Sequence, residues 1–352
     1  MKLIFLAEYA TPNSVGVATA HHNIAKELKK LGYDVEIYSS KYNHYMNFFP
    51  IKSTHIEEGV KYSWLWAFKY KQTKSIFRVL NWFIFSLNAF LKLLFNRCDI
   101  IIVSSHSMFP NISAILIKKI YKTPFIVDVR DVWPMTFVEV GKYSHKNALI
   151  KMMSYAEKNA IDKADAVIST LPNYNLRIKE LLGNKKKFFL NIPQAYDFDL
   201  PTKKVEFDFL SELDPKKLNI VYSGAIGLTN SLDTVFRCAK KMDKDRFNFY
   251  FIGDGDLLVK YKSDYFNDPQ INFIDKVPKP YLFDILKKMD VGYDSTSKSK
   301  LYKYGLSRQK WMDYMNASLP IVASFSGYKS ILNEYDCGFF VEAESVLKLS
   351  DI

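Results

Sequence analysis

The stretch LNIVYSGAIGLTNSLDTVFRCAKKM, residues 218–242, decides the fold. Leu218–Tyr222 is a short apolar, β-prone run, a turn with two glycines follows, and Leu232–Met242 reads as a helix. Strand, glycine turn and helix form the opening unit of a parallel α/β layer, because parallel strands need a long crossover between them. Downstream the alternation continues with strands Phe247–Ile252, Ile271–Ile274, Val291–Tyr293 and Ile321–Ala323, and helices Tyr281–Met289 and Ser307–Ala317. Upstream it runs separately through strands Lys2–Ala7, Asp34–Tyr38, Ile100–Val103, Phe125–Val129 and Ala166–Ser169. Helices over Val17–Leu31, Ile112–Tyr121, Asn147–Lys163 and Asn173–Leu182 fall between those strands. A polar, proline-containing stretch near Pro193–Pro215 breaks the pattern and reads as a linker. The expectation is an α/β protein of two doubly wound, Rossmann-like domains facing a central cleft. Residues 1–195 form the first, 196–215 the linker and 216–352 the second, with ligands at the carboxyl ends of the strands.

Composition narrows the class. The 352 residues are 48% hydrophobic and 24% charged, a globular balance long enough for two domains. Three separated cysteines (Cys98, Cys238 and Cys337) form no CxxC pair, which argues against a disulfide scaffold or zinc cluster and fits a reducing cytoplasm. Met1–Leu6 reads as a strand without a cleavage site, so a signal peptide is not expected. The net charge of +12 lies almost wholly in residues 1–200, which hold 27 basic and 16 acidic residues. Only seven basic residues are Arg, where nucleic-acid readers lean on Arg for bidentate contacts, so no nucleic-acid partner is expected.

Candidate chemistry sits in the turns. Tyr222–Asn230 places Ser223, Gly224, Gly227 and Asn230 between a strand and a helix, where backbone can approach a phosphate closely. It matches neither a dinucleotide fingerprint nor a Walker loop, and the alternative is a plain tight turn. Gly253 and Gly255 end the next strand, where a mere turn is the stronger reading; Asp254 and Asp256 flank it as loop polarity, and no metal pair stands at a strand end. In the run 304–315, Ser307 reads as the N-cap of a helix over Arg308–Ala317. Lys310 and Asp313 then share a face: either a surface pair, or a diphosphate cation and a ribose acceptor. Arg130 and Asp131 end the Phe125–Val129 strand and read as cleft residues or as a mutual salt bridge, and Gly16 as a ligand loop or a turn.

Taken in order, three segments resemble a family 4 glycosyltransferase of the GT-B fold: RDVWP at 130–134, YSGAIGLTNSLDT at 222–234, and YGLSRQKWMDYMNASLPIVAS at 304–324. Gly16, Ala156-Glu157, Ala164-Asp165 and Gly253–Gly255 agree with it, and the nearest subgroup is the bacterial enzymes of O-antigen and capsule assembly that transfer amino sugars. The resemblance implies a retaining transferase taking a sugar, a UDP-amino sugar by preference, to a polyprenyl-diphosphate-linked glycan, with no cofactor and no metal. It implies donor contacts from Ser223, Gly224, Gly227, Asn230, Gly253, Gly255, Ser307, Arg308, Lys310 and Asp313. Asp131 and Arg130 would be catalytic, and Gly16 would lie on the acceptor side. The chain departs from the family pattern in several places. Of the family's paired acids only the second remains, as Asp313, with Tyr302 and Lys303 near the first position. Leu228 and Thr229 replace the loop cation, Gln194-Ala195 replaces Asn-Gly, and further helices are expected beyond Ile352. A 2-epimerase of the same fold and a non-catalytic nucleotide-sugar-binding subunit are the alternatives.

Residues 59–98 hold seven basic residues, no acid and eleven aromatics. A helical wheel gives a polar stripe of Arg78, Asn81, Asn88 and Lys92 against Phe77, Leu80, Phe83, Ile84, Leu87, Leu91 and Leu94. This reads either as a sheet-covering helix or as an interfacial helix on an anionic membrane. The second alternative places the protein in the cytoplasm, peripheral at the inner face of the plasma membrane.

Overall fold

A computed structural model describes residues 1–70, 75–104, 107–196, 207–211, 213–328 and 331–352. The chain divides into two compact units, Met1–Tyr196 and Asp197–Ile352.

The first unit is a single sheet ordered β3-β4-β2-β1-β5-β6-β7-β8. Its strands are β1 (Lys2–Leu6), β2 (Asp34–Ser40), β3 (Thr54–Glu57), β4 (Val60–Leu65), β5 (Ile100–Val103), β6 (Phe125–Val129), β7 (Ala166–Ser169) and β8 (Phe189–Asn191). All pairs are parallel except β3–β4, a hairpin at the edge. β1 pairs with β2 on one side and β5 on the other, so Leu3–Leu6 are buried on both faces. Helices α1 (Ala20–Lys30), α2 (Ile76–Phe95), α3 (Pro110–Tyr121), α4 (Met135–Glu139), α5 (Ala148–Lys163) and α6 (Tyr174–Leu182) complete the layer.

The second unit is a six-stranded parallel sheet ordered β11-β10-β9-β12-β13-β14. These are β9 (Leu218–Ser223), β10 (Phe247–Ile252), β11 (Ile271–Ile274), β12 (Val291–Ser295), β13 (Ile321–Ser324) and β14 (Gly338–Val341). Its helices are α7 (Asp208–Ser211), α8 (Asp233–Ala239), α9 (Leu258–Asp264), α10 (Lys279–Leu286), α11 (Gln309–Asn316), α12 (Ile331–Glu334) and α13 (Val346–Ser350). Residues alternate sides along β9. Val221 joins the core under Trp311 and Tyr314, while Tyr222 joins that of Phe236 and Phe251. The order reverses between β9 and β12, and at such a switch point diverging crossovers leave an open crevice at the carboxyl ends of the strands.

Three expectations change. The end of the expected linker is not free chain, because Leu210 is buried in the second core with Phe207, Phe209 and Leu213 packed beside it; residues 197–206 and 212 lie outside the described residues. The hairpin β3–β4 lies where the sequence reading assigns no strand, its second strand within the basic aromatic segment. In the basic aromatic segment, Trp64 and Trp82 are buried and Trp66 is exposed, while Lys71 and Lys74 lie outside the described residues.

Candidate functional site

The carboxyl ends of β9 and β12 carry a cluster of buried polar residues that includes Ser223, Asn230 and Asp294. β9 ends in Ser223, and the chain turns through Gly224 at φ 145°, a backbone conformation that favours glycine. Side-chain bulk at Gly224 is also restricted by Lys310, whose Nζ lies 3.1 Å from where a Cβ would stand. The neighbouring turn locks this one in place. Gly224 N donates to Ile252 O at 2.9 Å, and Ile226 N donates to Asp254 O at 2.9 Å. A Cβ on Gly253 (φ 154°) would overlap the Gly224 carbonyl oxygen. Gly253 and Gly255 thus have a backbone-packing reason to be glycine. Gly227 differs: its φ is ordinary and a side chain there would meet open space.

This contrast gives the first prediction. Gly253→Ala should destabilise the second unit by about 2–5 kcal/mol through strain and overlap. Gly227→Ala should leave urea unfolding unchanged and weaken nucleotide binding if a ligand occupies the open space. Unfolding curves and nucleotide titration of both variants check it.

Asp294 organises the cations. It stands one residue before the end of β12, is buried, and accepts from Trp311 Nε1 at 2.8 Å. Lys310 Nζ stands 3.0 Å from its Oδ1 and Arg308 Nε 3.7 Å from its Oδ2. Burial pushes the Asp294 carboxyl up, but Lys310 and Arg308 outweigh it and hold the group below the usual carboxylate range. The Lys310 ammonium is itself buried, with Nζ 3.8 Å from the centre of the Tyr222 ring. Burial lowers its pKa to about 8 against the raising effect of Asp294. The ammonium pairs with Asp294, and among the described residues no second acceptor takes its remaining donors. A buried cation with unused donors beside a glycine turn is suited to take an anionic oxygen.

The remaining expected residues frame this cluster. Asn230 is buried; its Nδ2 donates to Ala225 O at 2.7 Å, and its Oδ1 accepts from Arg308 Nη1 at 3.0 Å, closing the turn and aiming the guanidinium. Ser223 is buried against Tyr314, whose hydroxyl accepts from Ser223 N at 2.8 Å and donates to Tyr293 O at 3.1 Å. Its side chain anchors α11 to the sheet. Asp313 pairs with Lys279 at 3.0 Å and not with Lys310, which turns to Asp294. The helix begins one residue later than expected, with Arg308 as N-cap in place of Ser307 and no side-chain cap bond.

In the first unit Arg130 does not pair with Asp131. Residues two apart on a strand share a face, so Arg130 Nε reaches Asp128 Oδ2 at 2.9 Å, and its Nη1 donates to Gln194 at 3.2 Å. His21 Nε2 lies 3.2 Å from the same Asp128 oxygen. Burial works against the Asp128 anion, but Arg130 and His21 hold its carboxyl far below the usual range. Burial lowers the His21 pKa. Asp131 instead accepts from Val132 N at 2.7 Å and Thr136 Oγ1 at 2.9 Å through Oδ1, fixing the turn into α4. Gly16 is required by packing, because a Cβ would overlap the Tyr45 carbonyl oxygen. Sequence reading missed Asp128, His21 and Asp294.

Among the described residues one group has the donors to hold a metal ion: His22, Glu57 and Glu58. Lys26 already lies 3.4 Å from Glu58, and Ser14 and His55 bond Glu57, so the group serves to tie α1 to the β3–β4 hairpin.

The sequence profile of Glycosyltransferase Family 4 matches residues 15–185. This segment is similar to Glycosyltransferase Family 4. It carries β2 to β7, the His21–Asp128–Arg130 cluster and Asp131. Solved structures extend the likeness over both units and establish the GT-B fold. A sucrose-phosphate synthase from Thermosynechococcus elongatus is 12% identical with a TM-score of 0.75, covering 99% of this chain and 88% of its own. Anabaena HepE in complex with UDP is 11% identical with a TM-score of 0.68, covering 100% of this chain and 88% of its own. WaaG, a glycosyltransferase involved in lipopolysaccharide biosynthesis, is 10% identical with a TM-score of 0.67, covering 100% and 89%. No curated protein matches the chain in sequence.

Proposed function

We propose that the protein is a retaining glycosyltransferase that moves a sugar from a nucleoside diphosphate donor to a lipid-linked glycan in surface polysaccharide assembly. A UDP-amino sugar is the donor this reading favours, with the cytoplasmic face of the membrane as the place of transfer. The observation that carries it is the buried Lys310 ammonium beside the Gly224 turn. In the transfer the bond from the anomeric carbon to the diphosphate oxygen breaks and its electron pair leaves with the diphosphate; the acceptor hydroxyl oxygen bonds to the same carbon, and its proton passes to the departing diphosphate oxygen. Negative charge therefore grows on the leaving oxygen. Lys310, with Arg308 held by Asn230, stands where fixed cations stabilise that charge more in the transition state than in the bound donor. These cations fill the role a metal would otherwise play, so transfer is expected to survive EDTA. On the first unit, the end of β6 serves the acceptor: Asp131 is the residue proposed there, and Arg130, bound to Asp128 and Gln194, is a positioning residue. Ser223, Gly253 and Gly255 support the donor turn through packing.

Incubation with UDP-sugars and a polyprenyl-diphosphate-linked acceptor tests the reading. Transfer supports it. Epimerisation of the donor sugar, or nucleotide binding without turnover on any acceptor, replaces it with one of the other classes.

The pH dependence follows from Lys310. Its pKa is about 8 in the free protein, and a bound diphosphate raises it by favouring the ammonium. Below about pH 8 the site is already protonated and UDP affinity should be flat. Above it the complex must take up a proton, so affinity should fall by up to about tenfold per pH unit until the raised pKa is reached. Lys310→Arg, charged throughout, should remove that slope. Calorimetric titration with UDP between about pH 7 and about pH 9 measures it.

A further inference from the structure

The face of α2 turned away from the first unit is apolar along the whole helix. Ile76, Phe77, Leu80, Phe83, Leu87, Leu91 and Phe95 are exposed, and no polar residue of the helix is. The polar stripe points inward instead. Asn81 exchanges two hydrogen bonds with the Phe68 backbone at 2.7 and 2.8 Å, Asn88 donates to Trp66 O, and Arg78 donates to Tyr9 OH. Lys92 lies over the Tyr38 ring. An ordinary surface helix has the reverse arrangement.

α3 extends this face. Phe109 stacks on Phe83, Ser113 Oγ donates to Ser86 O at 2.6 Å, and Tyr121 OH donates to Leu94 O at 3.1 Å. The two helices therefore run side by side in one direction. Ile112, Leu116 and Ile120, at steps of four on α3, are exposed as well. Ten apolar side chains on adjacent helices make a patch beyond what soluble surfaces leave uncovered without a partner.

Charge identifies the partner. From residue 59 to 127 the sequence holds ten Lys and Arg and a single acid, Asp99. Arg97, Lys119 and Lys122 are exposed at or just beyond the ends and flank of the two helices. A second copy would set this basic surroundings against itself, since a two-fold interface pairs like with like. An anionic bilayer meets both the apolar face and the charge. α2 is long and apolar enough to cross a membrane by length and composition. However, Trp82, Phe85, Ala89 and Leu93 are buried in its own domain, so it lies flat on the surface.

We propose that the exposed faces of α2 and α3 together form the membrane-docking surface of the first domain, seated on anionic phospholipid. This deepens the lipid-linked acceptor reading and is tested without it. The full chain is sedimented with vesicles of phosphatidylcholine alone and of phosphatidylcholine mixed with phosphatidylglycerol, with no donor present. The wild type should pellet with the mixed vesicles and far less with the neutral ones. Leu87→Asp with Leu91→Asp should lower the partition coefficient about tenfold or more, because two inserted side chains become anions. Lys119→Glu with Lys122→Glu should weaken binding to the mixed vesicles only. Both double variants should keep wild-type circular dichroism and thermal stabilisation by UDP, so loss of docking is read apart from loss of the donor site. Wild-type protein that stays in solution with both vesicles overturns the proposal. So does unchanged pelleting of Leu87→Asp with Leu91→Asp. A concentration-dependent dimer abolished by that variant, without vesicle binding, would assign the face to a second copy instead.

Discussion

Lys310→Met should lower turnover by about 10²- to 10³-fold, the scale of removing one preorganised oxyanion donor. The methyl thioether keeps much of the side-chain length against Tyr222 and Gly224, so the change removes charge more than packing. Asp294 keeps its bond from Trp311 and the nearby Arg308, which limits the structural damage. A loss concentrated in kcat identifies an interaction that grows in the transition state; a rise in KM with kcat intact identifies uniform binding. Lys310→Arg should recover only part of the rate, because the guanidinium is broader and Gly224 already stands against the ammonium. Steady-state kinetics with saturating acceptor distinguish these outcomes. A Lys310→Met protein that turns over within a fewfold of wild type removes Lys310 from the transition state.

What the sequence makes legible is whatever depends on neighbours along the chain. The apolar runs of β1, β5, β6 and β10 are read to within about a residue, because strands buried on both faces need no partner to show their character. The β3–β4 hairpin escapes because its turn is Glu58-Gly59. Both residues have positive φ, and Glu occupies a position that normally signals itself with Asn or Asp. β8 and β14 are short edge strands with mixed burial, and they carry no periodic pattern to find.

The site divides in the same way. Gly224, Asn230, Arg308 and Lys310 are visible because they stand in turns and at a helix start after apolar strands. Lys310's partner is not visible. Spacing on one helix points to Asp313, three residues on, whereas the actual counter-ion is Asp294, which comes from β12 and belongs to a strand read as ending at Tyr293. Likewise the wheel of α2 separates polar from apolar residues correctly but cannot say which side faces the domain. That is fixed by backbone groups of Phe68 and Trp66, which take up Asn81 and Asn88.

Asp294→Ala should cost the second unit about 3–5 kcal/mol, the scale of breaking a buried ion pair by removing one partner. The deletion leaves Lys310 buried without its counter-ion and Trp311 Nε1 without its acceptor, and it opens space beneath α11. The Lys310 pKa should fall further as the raising effect of Asp294 disappears, so the variant should regain part of its stability as pH rises and the amine loses its proton. If the damage comes from uncompensated charge, removing both partners should be milder than removing one. Asp294→Leu with Lys310→Met should therefore unfold in urea nearer to wild type than Asp294→Ala does, while remaining as inactive as Lys310→Met. That coupling between adjacent groups is the signature of a pair kept for chemistry, since apolar replacements of similar volume often match or exceed a buried ion pair in stability. Urea midpoints for the three variants, read with turnover on the same preparations, decide the matter. A double variant less stable than Asp294→Ala would mean that the pair holds α11 to the sheet, and the case for Lys310 as a diphosphate cation would then rest on kinetics alone.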